Sequence, residues 1–324
     1  MTEKIVVLDA LAPRTAERLR GMLPPGFEMT HATERTEPHL CEILADADYA
    51  VSGQVAVNEA MLRAARKLKL LHKWGVGVDN FDLDAARALG IKVARTTGSN
   101  AVPVAEFALG LMLSALRNMA YGHEGLQKGE WRTWKMRDAF MLSGKTVGIV
   151  GFGAIGKTLA RLLTGFGCRI LYTKPTRLDA AEEARLGATW APLADLLAQS
   201  DIVSLHCPMT DQTRNMIDFR ALSTMKKTAI LVNTSRGPIV DEAALIAALK
   251  NRTILHAGLD VYDREPLPAD HPLTKLDNVT LIPHLGYVVE ESYRHFYEGT
   301  IKDIEAWLDG SPINVLNPDA LKKA

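Results

Sequence analysis

Three side chains in the second half of this chain have the types and the order that one reaction needs. Arg236, Glu265 and His284 each follow a short, strand-like apolar run. In an alternating α/β fold, the ends of such strands are where ligands are met. A guanidinium holds a carboxylate or carbonyl oxygen through its planar fork. An imidazole exchanges a proton near neutrality, and a carboxylate beside it favours the protonated ring and fixes its orientation. Together they supply what a 2-oxo acid requires to accept a hydride: an anchor for its carboxylate, polarisation of its ketone and a proton for the forming alkoxide.

A hydride needs a carrier, and Gly151-Phe152-Gly153-Ala154-Ile155-Gly156 has the form of a dinucleotide turn. It directly follows the apolar run Thr146–Val150 and opens an apolar helix, the context this motif needs in order to carry weight. Gly151 permits the tight turn, Gly153 lets pyrophosphate approach the backbone, and Gly156 lets helix and strand close up. Ala154 and Ile155 complete the turn at a helix N-terminus, whose partial positive charge favours phosphate. The bland alternative is a glycine turn with no ligand, and the strand–turn–helix context weighs against it.

The tip of the next strand reads Tyr172-Thr173-Lys174-Pro175-Thr176-Arg177. An acidic residue there would accept from a ribose 2′-hydroxyl and mark NAD. Lys174 and Arg177 with the hydroxyls of Thr173 and Thr176 suit a 2′-phosphate better, which favours NADP. NAD stays open if Asp179 makes the ribose contact and the two cations are merely solvated.

These sites must be carried by a scaffold larger than one core. The 324 residues exceed what a single hydrophobic core organises. Two alternating series are legible. The first has strands at Ile5–Asp9, Phe27–Thr30, Tyr49–Ser52, Leu70–Trp74 and Lys92–Ala94, with amphipathic segments between them. The second has strands at Thr146–Val150, Arg169–Thr173, Ile202–His206, Ala229–Asn233, Ala257–Leu259 and Val279–Ile282. Six strands with crossover helices predict a doubly wound parallel sheet. Asp241 is placed to cap the helix after Arg236. The segment Val102–Arg117 predicts a long apolar helix. Ser292–Leu308 predicts an amphipathic one, with Tyr293, Phe296, Tyr297, Ile301, Ile304 and Trp307 on one face. This last helix returns to the first series, so the expected domains are 1–100 with 288–324, and 101–287.

Composition narrows the partners. Lys+Arg and Asp+Glu both total 38, so no net charge marks a nucleic-acid or anionic-membrane surface. Three scattered cysteines argue against a disulfide framework or a metal site and fit a reducing, cytoplasmic setting. The stretch Val102–Leu116 is too short to span a bilayer. The N-terminal run reads as a first strand, not a signal peptide.

The ordered motifs resemble the D-isomer-specific 2-hydroxyacid dehydrogenase family. The stretches that carry the resemblance are Lys73-Trp74-Gly75-Val76-Gly77-Val78-Asp79, Gly151–Gly156, Asp201–Pro208 and Asn233-Thr234-Ser235-Arg236-Gly237. Gly258–Tyr262 leading to Glu265-Pro266-Leu267, and Pro283-His284-Leu285-Gly286, complete the set. The resemblance runs from about Ile5 to Leu316. It implies a flavodoxin-like substrate domain beside a Rossmann domain, with Arg236, Glu265 and His284 catalytic and His284 the acid/base. It implies that backbone N–H groups of Val76 and Gly77 hold the substrate carboxylate, and that Cys207, Thr234 and Asp260 line the nicotinamide half of the site. It also implies a homodimer assembled through the cofactor domain and its long helix.

Each of these has a plainer reading. Gly75 and Gly77 can simply turn the chain, Asp260 can cap local N–H groups, and Cys207 can be an inert, partly buried thiol. His206, His256 and His271 are expected to be structural.

The expected substrate is a small 2-oxo acid, glyoxylate or hydroxypyruvate. Three departures from the family pattern bear on that. Lys174 stands where an acidic residue is common, Tyr287 stands where small residues are common, and Lys73 precedes the substrate loop. Lys73 either meets a substrate phosphate, as in the D-3-phosphoglycerate dehydrogenase branch, or faces solvent. A dinucleotide-sensing corepressor of this fold is the alternative of a different class, although no interaction tail is evident.

Overall fold

Short runs that are apolar on both faces suit strands covered on both sides, and in the computed structural model such runs supply most strands of two parallel sheets. The structure describes residues 2–75, 77–96, 100–131 and 138–318. The chain divides into two units, Met1–Asn100 with Val289–Ala324, and Ala101–Val288.

The first unit holds β1 (Glu3–Val7), β2 (Phe27–His31), β3 (Tyr49–Ser52), β4 (Leu70–Lys73) and β5 (Lys92–Arg95). Their order is β2-β1-β3-β4-β5 with parallel pairing throughout, the flavodoxin arrangement. β3 and β4 are buried at every position. The free edge of β5 is covered by the chain's C-terminal segment. Val315 bridges antiparallel to Ala94, while the Asn317 side chain accepts from Val93 N at 2.8 Å and donates to Ile91 O at 2.8 Å. The helix Glu290–Leu308 buries Phe296, Tyr297 and Ile304, and with them the polar Ser292, Thr300 and Asp303.

The second unit holds β6 (Thr146–Val150), β7 (Arg169–Thr173), β8 (Ala188–Trp190), β9 (Ile202–Leu205), β10 (Ile230–Asn233), β11 (His256–Leu259) and β12 (Val279–Leu281). The order β12-β11-β10-β9-β6-β7-β8 reverses direction between β6 and β9, the switch point at which doubly wound sheets bind ligands. Seven strands stand where six were expected. The addition, β8, is three residues long at the sheet edge and begins directly after Gly187, which ends the preceding helix at φ +59°. Too few residues alternate there to leave a periodic signal.

The long helix Ala101–Arg117 packs on β10, β11 and the helix Ala154–Thr164. Small residues, Ala105 and Ala108, lie on its buried face. Gly258 lets it approach closely, since a Cβ there would sit 3.3 Å from Leu111 Cβ. Among the described residues no helix is long and apolar enough to cross a membrane.

Because these strands are parallel, the residues following β6, β9, β10, β11 and β12 emerge at one sheet edge. Gly151, Cys207, Arg236, Asp260 and His284 all belong to that edge.

Candidate active site

The turn after β10 is built around one side chain. Asn233, buried at the strand end, accepts from Ser235 N at 3.0 Å through Oδ1 and donates from Nδ2 to Arg236 O at 2.9 Å. The Ser235 hydroxyl donates to Cys207 O on the neighbouring strand end. The guanidinium of Arg236 donates back to Ser235 O at 2.8 Å, which presets its direction. Gly237 then passes so close to Tyr262 that a Cβ would overlap the Tyr262 carbonyl. A side chain at 237 would therefore push the Arg236 turn off the loop that carries Glu265. Asp241 caps the following helix, accepting from Ala244 N at 3.0 Å.

His284 and Glu265 meet directly, with Nδ1 to Oε2 at 2.7 Å. The other carboxylate oxygen, Oε1, accepts from Tyr262 N at 3.0 Å, so the carboxylate is fixed at both ends. Burial pushes the Glu265 carboxyl up. The His284 hydrogen bond and charge, the Tyr262 N–H and the Arg236 charge outweigh it, and the net shift is below the usual carboxylate value. Side-chain exposures of 25% for His284 and 35% for Glu265 leave the pair accessible. Together they make an anionic carboxylate that orients an accessible imidazole.

The backbone at His284 has φ +56°, a left-handed conformation costing a residue with a Cβ on the order of 1 kcal/mol. Asp260 holds it there. Its carboxylate accepts from Leu285 N at 2.7 Å and Gly286 N at 2.9 Å, and a Cβ on Gly286 would sit 2.9 Å from it. Burial raises the Asp260 carboxyl to about 6 despite those two N–H bonds and the His284 charge. Tyr287 lies edge-on to His284, ring centroids 6.0 Å apart.

The glycine turn fits a dinucleotide. Gly151 takes φ +90°, and a Cβ there would overlap the backbone of His206 and Cys207; at Gly156 it would crowd Gly151 O. At Gly153 a Cβ would meet nothing within 4 Å. That open face is what a pyrophosphate needs, and no side chain caps the helix Ala154–Thr164 behind it, so the N–H groups of its first turn, where Ala154 and Ile155 lie, remain for an anion. Thr234 Oγ1 lies 3.5 Å from His206 Nδ1. Burial drives the His206 imidazole down to about 4 and the Cys207 thiol up to about 11, so His206 is neutral and Cys207 is a poor nucleophile at neutral pH.

At the tip of β7 the two cations differ. Arg177 is paired with Glu183 through Nε at 2.9 Å and Nη2 at 2.8 Å. Hydrogen bonds from Arg177 and the Tyr172 hydroxyl hold the Glu183 carboxyl down at about 2. Asp179 caps the next helix, accepting from Glu182 N at 2.8 Å. Thr176 is exposed, and no acceptor among the described residues bonds the Lys174 ammonium.

Of the expected substrate loop, Val76 lies outside the described residues; Gly77 is half-buried. Lys73 corrects the reading that it faces solvent. It is only 5% exposed, and its ammonium donates to Gly53 O and to Asn80 Oδ1, the latter at 2.9 Å, over the Phe81 ring.

The roles of Asn233 and Gly237 escaped the sequence reading, because a buried amide and a forced close approach leave no periodic trace. Among the described residues no group of His, Cys, Asp and Glu is placed to hold a metal ion.

Residues 109–286 match the family model described as D-isomer specific 2-hydroxyacid dehydrogenase, NAD binding domain. The chain is 40% identical over 314 residues to a glyoxylate reductase of Korarchaeum cryptofilum, covering 94% of each. It is 39% identical over 292 residues to glyoxylate/hydroxypyruvate reductase B of Yersinia enterocolitica, covering 89% of each. The apo-structure of D-lactate dehydrogenase from Escherichia coli superposes with a TM-score of 0.85 at 28% identity, covering 97% of this chain and 99% of that one.

Proposed function

The chain belongs to the D-isomer specific 2-hydroxyacid dehydrogenase family, an NAD(P)-dependent oxidoreductase acting on 2-hydroxy acids, and from that premise we propose that it reduces glyoxylate or hydroxypyruvate with NADPH. The observation that carries the reading is the fixed Glu265–His284 pair at 2.7 Å, with Glu265 on a loop locked against the Arg236 turn by Gly237.

Bound at the Gly151–Gly156 turn, the dinucleotide supplies the hydride. Arg236 binds the substrate and polarises its carbonyl, while N–H groups of Val76 and Gly77 take the carboxylate. His284 gives its proton to the carbonyl oxygen as the C–H bond forms, and in oxidation takes it back. Glu265 stays ionised and favours the protonated ring. Asp260 keeps His284 in its left-handed turn, and Thr234 and Cys207 line the nicotinamide half. Lys174 takes the 2′-phosphate, with Thr176 beside it. The Glu183 bridge leaves Arg177 exposed to stack or bond from its outer face. Tyr287 narrows the pocket toward small acids.

The tie of Lys73 to Gly53 and Asn80 speaks against its serving as the cation for a phosphorylated substrate. We also read the chain as a homodimer built through the second unit and its long helix. Support comes from Met119, Leu126, Trp131 and Met141, large apolar residues exposed within one stretch of that unit.

The test follows NADPH and NADH oxidation side by side with glyoxylate, hydroxypyruvate and 3-phosphohydroxypyruvate. Rapid NADPH use with the unphosphorylated acids is expected. Preference for the phosphorylated acid would move the assignment to the phosphoglycerate branch. Tight dinucleotide binding without turnover of any would favour a sensing role.

A further inference from the structure

The inner face of the helix Glu290–Leu308 carries Thr300 and Asp303 where apolar residues would be the cheaper choice. A buried carboxylate is costly unless charge and hydrogen bonds answer it, and Asp303 has both oxygens answered. Oδ2 meets His72 Nε2 at 2.9 Å, and Oδ1 accepts from Asn314 Nδ2 at 2.9 Å. The other ring nitrogen of His72 lies 3.0 Å from Thr300 Oγ1. That oxygen accepts in turn from the Trp74 indole N–H at 3.0 Å and is 2.8 Å from the Phe296 carbonyl one turn back. The result is a continuous buried chain, Trp74–Thr300–His72–Asp303–Asn314, with its second end in the C-terminal segment.

The indole at the head of this chain is also held by rings. Phe296 stacks on it with 15° between planes and centroids 6.4 Å apart, and Tyr293 meets it edge-on at 6.5 Å. Stacking sets the plane of the indole, and the Thr300 bond sets its rotation within that plane. Trp74 is the residue before Gly75, which has φ +127° and no neighbour nearer to its Cβ position than Lys73 Cε at 3.9 Å. A loop that begins on a glycine takes no direction from its own side chains. Trp74 fixes where the chain enters that glycine, and the Lys73 ammonium bonds Asn80 Oδ1 at 2.9 Å.

We propose that Thr300, His72 and Asp303 are positioning residues that fix, through Trp74, where the chain enters Gly75, and so set how tightly the enzyme holds the substrate carboxylate. This rests on the assignment of that loop to the substrate made above. An apolar filling of equal volume would be no less stable, but it would have no directional bond to stop the indole turning. Directional bonding is what the polar chain adds.

Loop binding to the carboxylate is made alike in ground and transition states, so its loss should appear in KM and not in kcat. Thr300→Val removes the acceptor with little change of volume. The KM for glyoxylate should rise by roughly 10-fold, with kcat and the KM for NADPH within about 2-fold. Thr300→Ser should restore the wild-type KM. Trp74→Phe, which keeps the stack and loses the N–H, should raise KM in the same direction and serves if the valine variant does not fold. Lower Tm with KM unchanged in both Thr300→Val and Trp74→Phe would overturn the inference and leave the chain a purely structural brace. A wild-type enzyme inactive on every 2-oxo acid would overturn the functional reading, and this one with it.

Discussion

Each unit of the molecule contains a histidine bonded to a carboxylate, at nearly the same distance. In the second unit His284 meets Glu265 at 2.7 Å; in the first His72 meets Asp303 at 2.9 Å. The residue chemistry is shared, and the surroundings differ. Side-chain exposures are 25% and 35% for the first pair against 1% and 2% for the second. The carboxylate partners differ as well. Glu265 is held by a backbone N–H from its own loop, whereas Asp303 is held by Asn314 beyond the end of its helix. An accessible imidazole on a left-handed turn can exchange a proton with a ligand. An enclosed one, bonded at both nitrogens, can only hold its neighbours in place. The pair alone therefore does not identify a catalytic group; access to a reacting atom does.

The largest separation between the two pairs should come from replacing each histidine. His284→Asn should cut kcat for glyoxylate reduction by roughly 10²- to 10⁴-fold, with NADPH binding retained. His72→Asn should leave kcat within about 3-fold, raising the KM for glyoxylate and lowering Tm. Equal loss of kcat in both variants would break the distinction.

A second test concerns pH. Glu265 is held below the ordinary carboxylate value by His284, Tyr262 N–H and Arg236, so it is anionic throughout the neutral range and supports the protonated imidazole. Glu265→Gln removes that anion, and reduction needs the proton. The pH above which reduction fades should therefore move downward. An unchanged pH–rate profile would show that the carboxylate orients the ring without favouring its charge.

The smallest effect is expected away from both pairs, at β7. Lys174→Asp should shift the ratio of kcat/KM for NADPH over NADH toward NADH by about 10-fold or more, since a carboxylate repels the 2′-phosphate. A ratio that does not move would hand selection to Arg177, despite its bridge to Glu183.

What could be read from the residues in order follows the physics of burial. The strands of the second sheet are covered on both faces, so they appear as uninterrupted apolar runs such as Thr146–Val150 and Ile230–Asn233. The motif glycines were legible because only their geometry explains them. Apolar periodicity located the helix at Glu290–Leu308, and Phe296, Tyr297 and Ile304 of its expected face are buried. The same rule did not pick out Thr300 and Asp303, since their partners Trp74 and His72 lie more than two hundred residues away. The second helical segment, Met119–Gln127, went unread because two glycines and exposed Met119 and Leu126 blur its periodicity. The bridge from Arg177 to Glu183 was likewise invisible, six residues apart across a turn.

The seam along β5 carries a practical consequence for handling the protein. Val315, Leu316 and Asn317 occupy hydrogen-bonding groups that would otherwise form an open sheet edge, and open edges recruit other chains. Trimming by a protease near Asn314 would therefore do two unrelated kinds of damage at once. It would bare a surface prone to intermolecular strand pairing, and it would take away the amide that braces Asp303. Purified material that slowly clouds on storage and loses grip on its substrate in parallel would have a single cause, a clipped tail, visible as a mass change.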